Sequence, residues 1–328
     1  MKFAALLFVV ALALIIVLSQ VRLNKIVIVV LEDGEANFFQ GVEAFLKEHR
    51  LRYEAVRVRI DAEKPKLEAS LKKYQNSYAV GPRISSQARD LLPFLEKYKI
   101  FAIAPQVTSY LVVGKSRYLM SLSVTDEEQG KQIAELLKCS RHDRVLLVCD
   151  KLNPVYSQSL EESLRKFLSV ETFKSVHISS VDELVDEDFA HYDVMVLAVD
   201  GRLAGMIAQL AKTRGFSGTL VGSDYAFDRD LIPSGKDAVE GMLVCCLFNY
   251  PILIEKGFDD IDVAGAYDAT MLIVELIQKK ISPENAAEYL KGRKYFGVTG
   301  EFSISFDLSS ERDLTFAVVK NGSFEFER

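Results

Sequence analysis

Short apolar runs rich in valine, isoleucine and leucine alternate with longer segments of helical period through most of this chain, and each run ends on a polar or turn residue. A strand covered by helices on both sides has no face left for water, so it reads as a continuous apolar run. The pattern predicts an α/β protein built on parallel sheets. Strands are expected at residues 25–31, 53–60, 78–80, 100–104, 144–149, 175–178, 193–199, 219–222 and 241–248. Helices fill the gaps: Phe38, Val42, Phe45 and Leu46 make one apolar stripe, and Ile133, Leu136 and Leu137 another, with charges opposite. A longer helix over 262–280 carries Ala266, Ala269, Ile273, Leu276 and Ile277.

The alternation breaks at three places. Residues 118–125 are extended and the strand–helix pattern then restarts, which places a crossing between two similar lobes near Ser121. The helix after Phe248 has no strand directly following it, so a second crossing is expected there, and a third near Phe296. Beyond that point residues 301–307 alternate, 314–320 are β-rich, and Asn321-Gly322 signals a two-residue hairpin. The expected fold is thus two Rossmann-like lobes with parallel sheets, joined by three crossings and ending in a C-terminal β-hairpin. Residues 24–121 plus 249–296 would form lobe 1, and 122–248 plus 297–328 lobe 2.

Residues 1–19 stand apart. After Met1 and Lys2, everything from Phe3 to Leu18 is apolar, roughly 24 Å of helix against a hydrocarbon core of about 30 Å. One lysine, an apolar block, then polar residues from Ser19 is the layout of a secretory signal. The preferred Ala-x-Ala is absent around Val17-Leu18-Ser19, so an uncleaved anchor stays open beside a cleaved signal peptide. Both place the remainder in the periplasm or outside the cell. With 40 basic and 46 acidic residues, net charge −6, the chain has no basic field for nucleic acid. Cys139, Cys149, Cys245 and Cys246 lack metal-ligand spacing and read as small buried hydrophobes rather than a disulfide framework.

Enzyme motifs for phosphate, dinucleotide, zinc-protease and hydrolase chemistry are missing. His49, His142, His177 and His191 fall singly in helix, loop or strand and read as surface or packing residues. No catalysis, cofactor or metal is expected. What remains is polar residues at the carboxyl ends of strands, where open α/β sheets bind ligands. Asp33, Asp150, Asp200 and Asp224 follow such runs, as do residues 81–86 and 104–109. Each alone reads as a helix cap or turn former. Together they suit a zwitterion. Ser85, Ser86, Thr108 and Ser109 would gather hydroxyls and free backbone N–H groups around a carboxylate, Asp224 would face an ammonium, and Tyr156 would cover the ligand with its ring. An alternative, a metal enzyme built on Asp33, Asp150 and Asp200, requires those carboxylates to converge.

The same segments carry a family resemblance. Gly81-Pro-Arg-Ile-Ser-Ser, Ile100-Phe-Ala-Ile-Ala-Pro-Gln-Val-Thr, Ser123-Val-Thr-Asp-Glu-Glu-Gln-Gly-Lys, Val239-Glu-Gly-Met, Ala266-Tyr-Asp-Ala-Thr-Met and the tail from Phe296 resemble, in order, type I periplasmic solute-binding proteins of the branched-chain amino-acid (Leu/Ile/Val) branch. The resemblance implies a hinged pair of lobes that closes on a solute and hands it to an ABC permease in the membrane. It implies carboxylate-binding roles for Ser85 and Thr108, a lining role for Tyr156 and an ammonium-binding role for Asp224. A membrane-anchored ligand-sensing receptor of the same fold is the second reading it allows. The chain departs from the family in its short first loop, Glu32-Asp-Gly-Glu, in Asn-Pro-Val-Tyr at Tyr156, and in having no tryptophan. Arg83, beside the carboxylate loop, either strengthens anion binding or faces solvent.

Overall fold

The computed structural model describes residues 26–138 and 144–326. The apolar segment 1–19, Cys139 and His142 lie outside the described residues, and among those described no helix is long and apolar enough to cross a membrane.

Five parallel strands form the first sheet in the order β2-β1-β3-β4-β5: β1 Val27–Glu32, β2 Glu54–Arg59, β3 Tyr78–Val80, β4 Phe101–Ala104 and β5 Leu119–Ser121. The alternation of side chains along a strand explains its apolar sequence. In β1, Ile28 and Val30 enter one core while Val29 and Leu31 enter the core on the other face, all four fully buried. Each such side chain contributes about 1.5–3 kcal/mol of burial free energy, so the run tolerates no polar residue until Glu32. Helix α1 (Phe38–Glu48) covers the first face, and α2 (Lys64–Lys73) and α3 (Ser85–Tyr98) cover the second.

The second sheet has seven strands, ordered β15-β14-β10-β9-β8-β6-β7, with β6 Arg144–Asp150, β7 Thr172–Ile178, β8 Val194–Ala198, β9 Thr219–Gly222 and β10 Leu243–Cys246 parallel, and β14 Thr315–Lys320 and β15 Ser323–Phe326 at one edge. Here too the strands feed two cores, Leu146 and Val148 on one face, Val145, Leu147 and Cys149 on the other. Helices α4 (Asp126–Lys138) and α5 (Pro154–Phe167) lie on this second face, and α6 (Gly201–Thr213) on the first. Strand β7 starts three residues before its apolar signal, because as an edge strand it leaves much of Thr172, Phe173 and Lys174 in solvent. Cys245 and Cys246 enter different cores and both are free thiols, as is Cys149.

Strands β14 (Thr315–Lys320) and β15 (Ser323–Phe326) close the chain as an antiparallel hairpin on β10. Asn321 and Gly322 both have positive φ, 51° and 72°, the backbone of a type I′ turn. Helix α7 (Ile261–Gln278) returns to the first core and packs on α1. That contact is close: a Cβ at Gly41 would stand 2.2 Å from the Val263 carbonyl oxygen. Gly41→Ala is expected to cost about 1–3 kcal/mol by overpacking, measured as a lower midpoint in thermal unfolding.

A small antiparallel sheet, β11 (Lys294–Gly297), β12 (Gly300–Ile304) and β13 (Ser310–Glu311), follows. Phe302, Ile304 and Leu308 join the core of Ile28 and Val30. Residues 297–308 therefore stay with the first sheet instead of passing to the second at Phe296, because their alternating apolar side chains find their burial there. The chain crosses later, after Ser310. Its segment lies beside the other two crossings: Ser121 N–H donates to Leu308 O (2.8 Å), Ser310 N–H to Ser123 O (3.1 Å), and Thr315 Oγ1 to Phe248 O (3.3 Å). Arg312 ties them together. Its guanidinium lies over the Phe248 and Phe302 rings and donates to Thr299 O (3.2 Å) and Thr299 Oγ1 (3.1 Å). Burial pushes it down to about 10, with Asp268 pulling the other way.

Candidate ligand site

A cavity of about 710 Å³ opens between the carboxyl ends of the two sheets, the size of a small-molecule site. Four of the five residues expected to hold the ligand line it: Ser85 from the start of α3, Thr108 from the loop after β4, Tyr156 from the first turn of α5, and Asp224 after β9; Arg83, Asp150 and Asp200 line it too. They reach one place because parallel strands present all their carboxyl ends on the same edge.

Asp224 is the best-anchored of the four. Tyr156 donates its hydroxyl to Asp224 Oδ1 at 2.6 Å, and Gln129 Nε2 donates to the same oxygen at 2.6 Å. Burial raises the carboxyl above its ordinary value, while these hydrogen bonds pull it down. The Tyr156 hydroxyl is itself pushed well up, by burial first and then by Asp224 and Asp126.

Asp126 is the functional candidate that sequence reasoning missed. It opens α4, is fully buried, and neither of its oxygens has a hydrogen-bond partner among the described residues, although the Thr108 and Ser159 side chains lie beside it. Burial, then the charge of neighbouring Asp224, pushes it up to about 8. Ser159 Oγ and Ser223 Oγ are also buried without partners. Buried polar groups are rarely left unpaired, and that is what singles out this set. In the sequence Asp126 reads as an ordinary acid at a helix N-terminus, and only its complete burial distinguishes it.

Ser86 is placed differently from its companions. It does not line the cavity; its N–H and Oγ donate to Asn153 Oδ1 at 3.1 and 3.0 Å, and its Oγ accepts from Val155 N–H at 3.3 Å. Ser109 Oγ donates to Val155 O at 3.3 Å, and its N–H donates to Ser85 Oγ at 3.3 Å. The starts of α3 and α5, from the two halves of the molecule, are thus bonded directly. Asn153→Ala would leave the buried Ser86 N–H unpaired, a loss of about 1–3 kcal/mol. If that contact belongs to the ligand-bound arrangement, affinity should fall by roughly one order of magnitude, readable by calorimetric titration.

The strand-end aspartates have local duties. Asp33 Oδ1 accepts from Glu35 N–H (2.9 Å) and Ala36 N–H (3.3 Å), Asp150 Oδ1 from Leu152 N–H (2.7 Å), and Asp200 Oδ1 from Leu203 N–H (3.0 Å). Among the described residues, the only trio whose ligand atoms all lie within 4.8 Å is Cys149, Glu161 and His177. Asp33, Asp150 and Asp200 therefore do not come together as the metal enzyme would require. Arg83 lines the cavity with its side chain 19% exposed, 3.5 Å from Asp33 Oδ2 and 2.5 Å from Glu35 Oε2. It is a cavity residue rather than a solvent-facing one.

No family model and no curated protein matches the sequence. Solved structures do. A leucine-binding protein, LivK, from Thermotoga maritima superposes with a TM-score of 0.79 at 20% identity, over 92% of this chain and 98% of its own. The branched-chain amino-acid transporter substrate-binding protein LivJ from Streptococcus pneumoniae, in complex with isoleucine, gives 0.79 at 17% identity with the same coverage. An ABC-transporter solute-binding protein from R. palustris, in complex with 4-hydroxybenzoate, gives 0.74 at 16% over 93% and 96%. At such identities the likeness speaks for architecture, and on that ground this chain has the type I periplasmic binding protein fold of the ABC-transporter substrate-binding proteins.

Proposed function

We propose that the protein captures an amino acid or related small solute in this cavity, outside the cytoplasm, and delivers it to an ABC importer. The observation that carries the reading is the gathering of Asp224, held by Tyr156 and Gln129, with Ser85 and Thr108 around one cavity, and the buried Asp126 behind them, its N–H donating to Thr108 O at 2.9 Å. That arrangement offers an anionic place for an ammonium and hydroxyl donors for a carboxylate. The isoleucine complex among the structural neighbours supports an amino acid, and the hydroxybenzoate complex supports a carboxylate. The cores support a division into two lobes, residues 26–121 with 249–311 and 122–248 with 312–326.

A thermal-shift screen of the purified protein against amino acids, small carboxylates and sugars tests the reading. A ligand at a hundredfold excess over Kd adds about 2.7 kcal/mol of stability, and a flat screen would overturn capture of any of these classes. Closure is expected with binding, since contacts from both lobes are made together only when the cleft narrows. Small-angle scattering should then show a smaller radius of gyration at saturation. An unchanged radius would count against hinge closure.

A further inference from the structure

The cavity is strongly acidic. Nine carboxylate side chains line it against three arginines and no lysine or histidine, a formal charge of −6 that equals that of the whole 328-residue chain. Arg83 is already committed to Asp33 and Glu35. Among the described residues, none of the eight lining aspartates forms an ion pair within 4 Å. Several use one oxygen for a backbone N–H, as Asp150, Asp200 and Asp228 do, with Asp228 Oδ1 accepting from Asp230 N–H at 2.7 Å. Such capping satisfies hydrogen bonds without neutralising charge, and the arginines offset only part of it, Arg83 acting on Asp150 and Asp262 and Arg229 on Asp228.

Two further facts turn this acidity into a ligand specification. Behind Asp224, the fully buried Asp126 has the Thr108 and Ser159 side chains beside it but no hydrogen-bond partner on either oxygen among the described residues, so two carboxylates stand at one pole with no ion-pair partner among those residues. The remaining acids are spread along the walls. Asp150 neighbours Asp200, Asp200 neighbours Asp228, and Asp262 lies across the cavity on the other lobe, accepting from Gln106 Nε2 at 2.6 Å. No three of them bring ligand atoms within 4.8 Å of one another. A single metal ion needs converging oxygens. Separated anionic stations around one cavity suit separated positive charges on one molecule.

We propose that the ligand is a small aliphatic amine carrying two separated positive charges, one ammonium held at Asp224, with the buried Asp126 behind it, and a second cationic group at the Asp150–Asp200 wall. This rests on the reading of the cavity as a solute site and narrows it. A dibasic amino acid and a free diamine share this chemistry. In the first, Ser85 and Thr108 also take the carboxylate.

The experiment is calorimetric titration of the full-length protein at pH 7.5 and low ionic strength with L-lysine, cadaverine, L-norleucine, 4-hydroxybenzoate and MgCl2. Norleucine has lysine's carbon chain without the terminal amine. Lysine or cadaverine is expected to bind at least tenfold tighter than norleucine, with the margin shrinking in 0.5 M salt. Preference for lysine over cadaverine assigns a dibasic amino acid, and the reverse assigns a diamine. The double variant Asp150→Asn, Asp200→Asn, which keeps both capping acceptors, is expected to bring lysine to the affinity of norleucine. Should it fail to fold, the comparison on the parent protein still decides. Norleucine binding as tightly as lysine overturns the inference and leaves amino-acid capture standing. Binding of 4-hydroxybenzoate alone overturns the inference while leaving a small-carboxylate solute. Saturable Mg²⁺ binding without amine binding, or no binding at all, overturns both.

Discussion

Asp224→Asn is expected to weaken binding of an amino acid or amine by at least two orders of magnitude while leaving the fold intact. The side chain keeps its shape and an acceptor for Tyr156 Oη, whose bond to Oδ1 is 2.6 Å. What is lost is the charge opposite a desolvated ammonium. Removing one member of a buried ion pair costs about 3–5 kcal/mol, because the partner is stranded without compensation. Ser85→Ala removes one donor to a carboxylate that Thr108 also serves, and should cost only about 1.5–3 kcal/mol of binding. Part of its effect will appear as stability, since the Ser85 hydroxyl also accepts from the buried Ser109 N–H. Calorimetric titration of both variants, with circular dichroism as the control for folding, makes the comparison. If Asp224→Asn binds as the parent does, no ammonium sits there and an uncharged or purely anionic solute must replace it.

The second large effect is on stability. Asp126→Asn is expected to stabilise the unliganded protein, by an amount that grows with pH. An aspartate in the unfolded chain titrates near about 3.9, whereas folded Asp126 is held up at about 8, by burial and then by Asp224. Folding therefore takes up a proton between these two values. The stabilisation this provides is complete below about pH 4 and is lost as pH rises through about 8, at up to about 1.4 kcal/mol per pH unit. The variant has no such titration, so its advantage should widen steadily from pH 5 to pH 8 and then level off. Thermal melts of parent and variant across that range measure it, and parallel pH profiles would show that Asp126 is not held protonated. A ligand ammonium beside Asp126 reverses the preference. Binding below pH 8 should then release a proton, seen as a binding enthalpy that depends on the ionisation enthalpy of the buffer.

Much of the fold could be read locally. The apolar run of β1 carries the information that both faces are covered, since Ile28 and Val30 go to one core and Val29 and Leu31 to the other. Asn321-Gly322 announces its turn because few other pairs accept positive φ at both positions. The late third crossing was not legible. Phe302, Ile304 and Leu308 alternate as any half-buried strand does, and nothing in that period says which core receives them.

The candidate site divides in the same way. Residue type and place at a strand end were enough to single out Ser85, Thr108, Tyr156 and Asp224, because parallel strands must all point their carboxyl ends to one edge. Ser86, one position further along, turns instead to Asn153, 67 residues away, and Asp126 becomes a buried partner of Asp224 only when α4 packs beneath β9 and α5. The sequence by itself determined the strand–helix alternation, the parallel sheets and the C-terminal hairpin, since each is written in a period or a turn pair of a few residues. Tertiary structure alone decided which core takes the chain after Phe296, which serine faces the cavity, and that the acidic excess is gathered there. Those outcomes depend on burial and on the charges of residues far apart in the chain, and no local spacing encodes either.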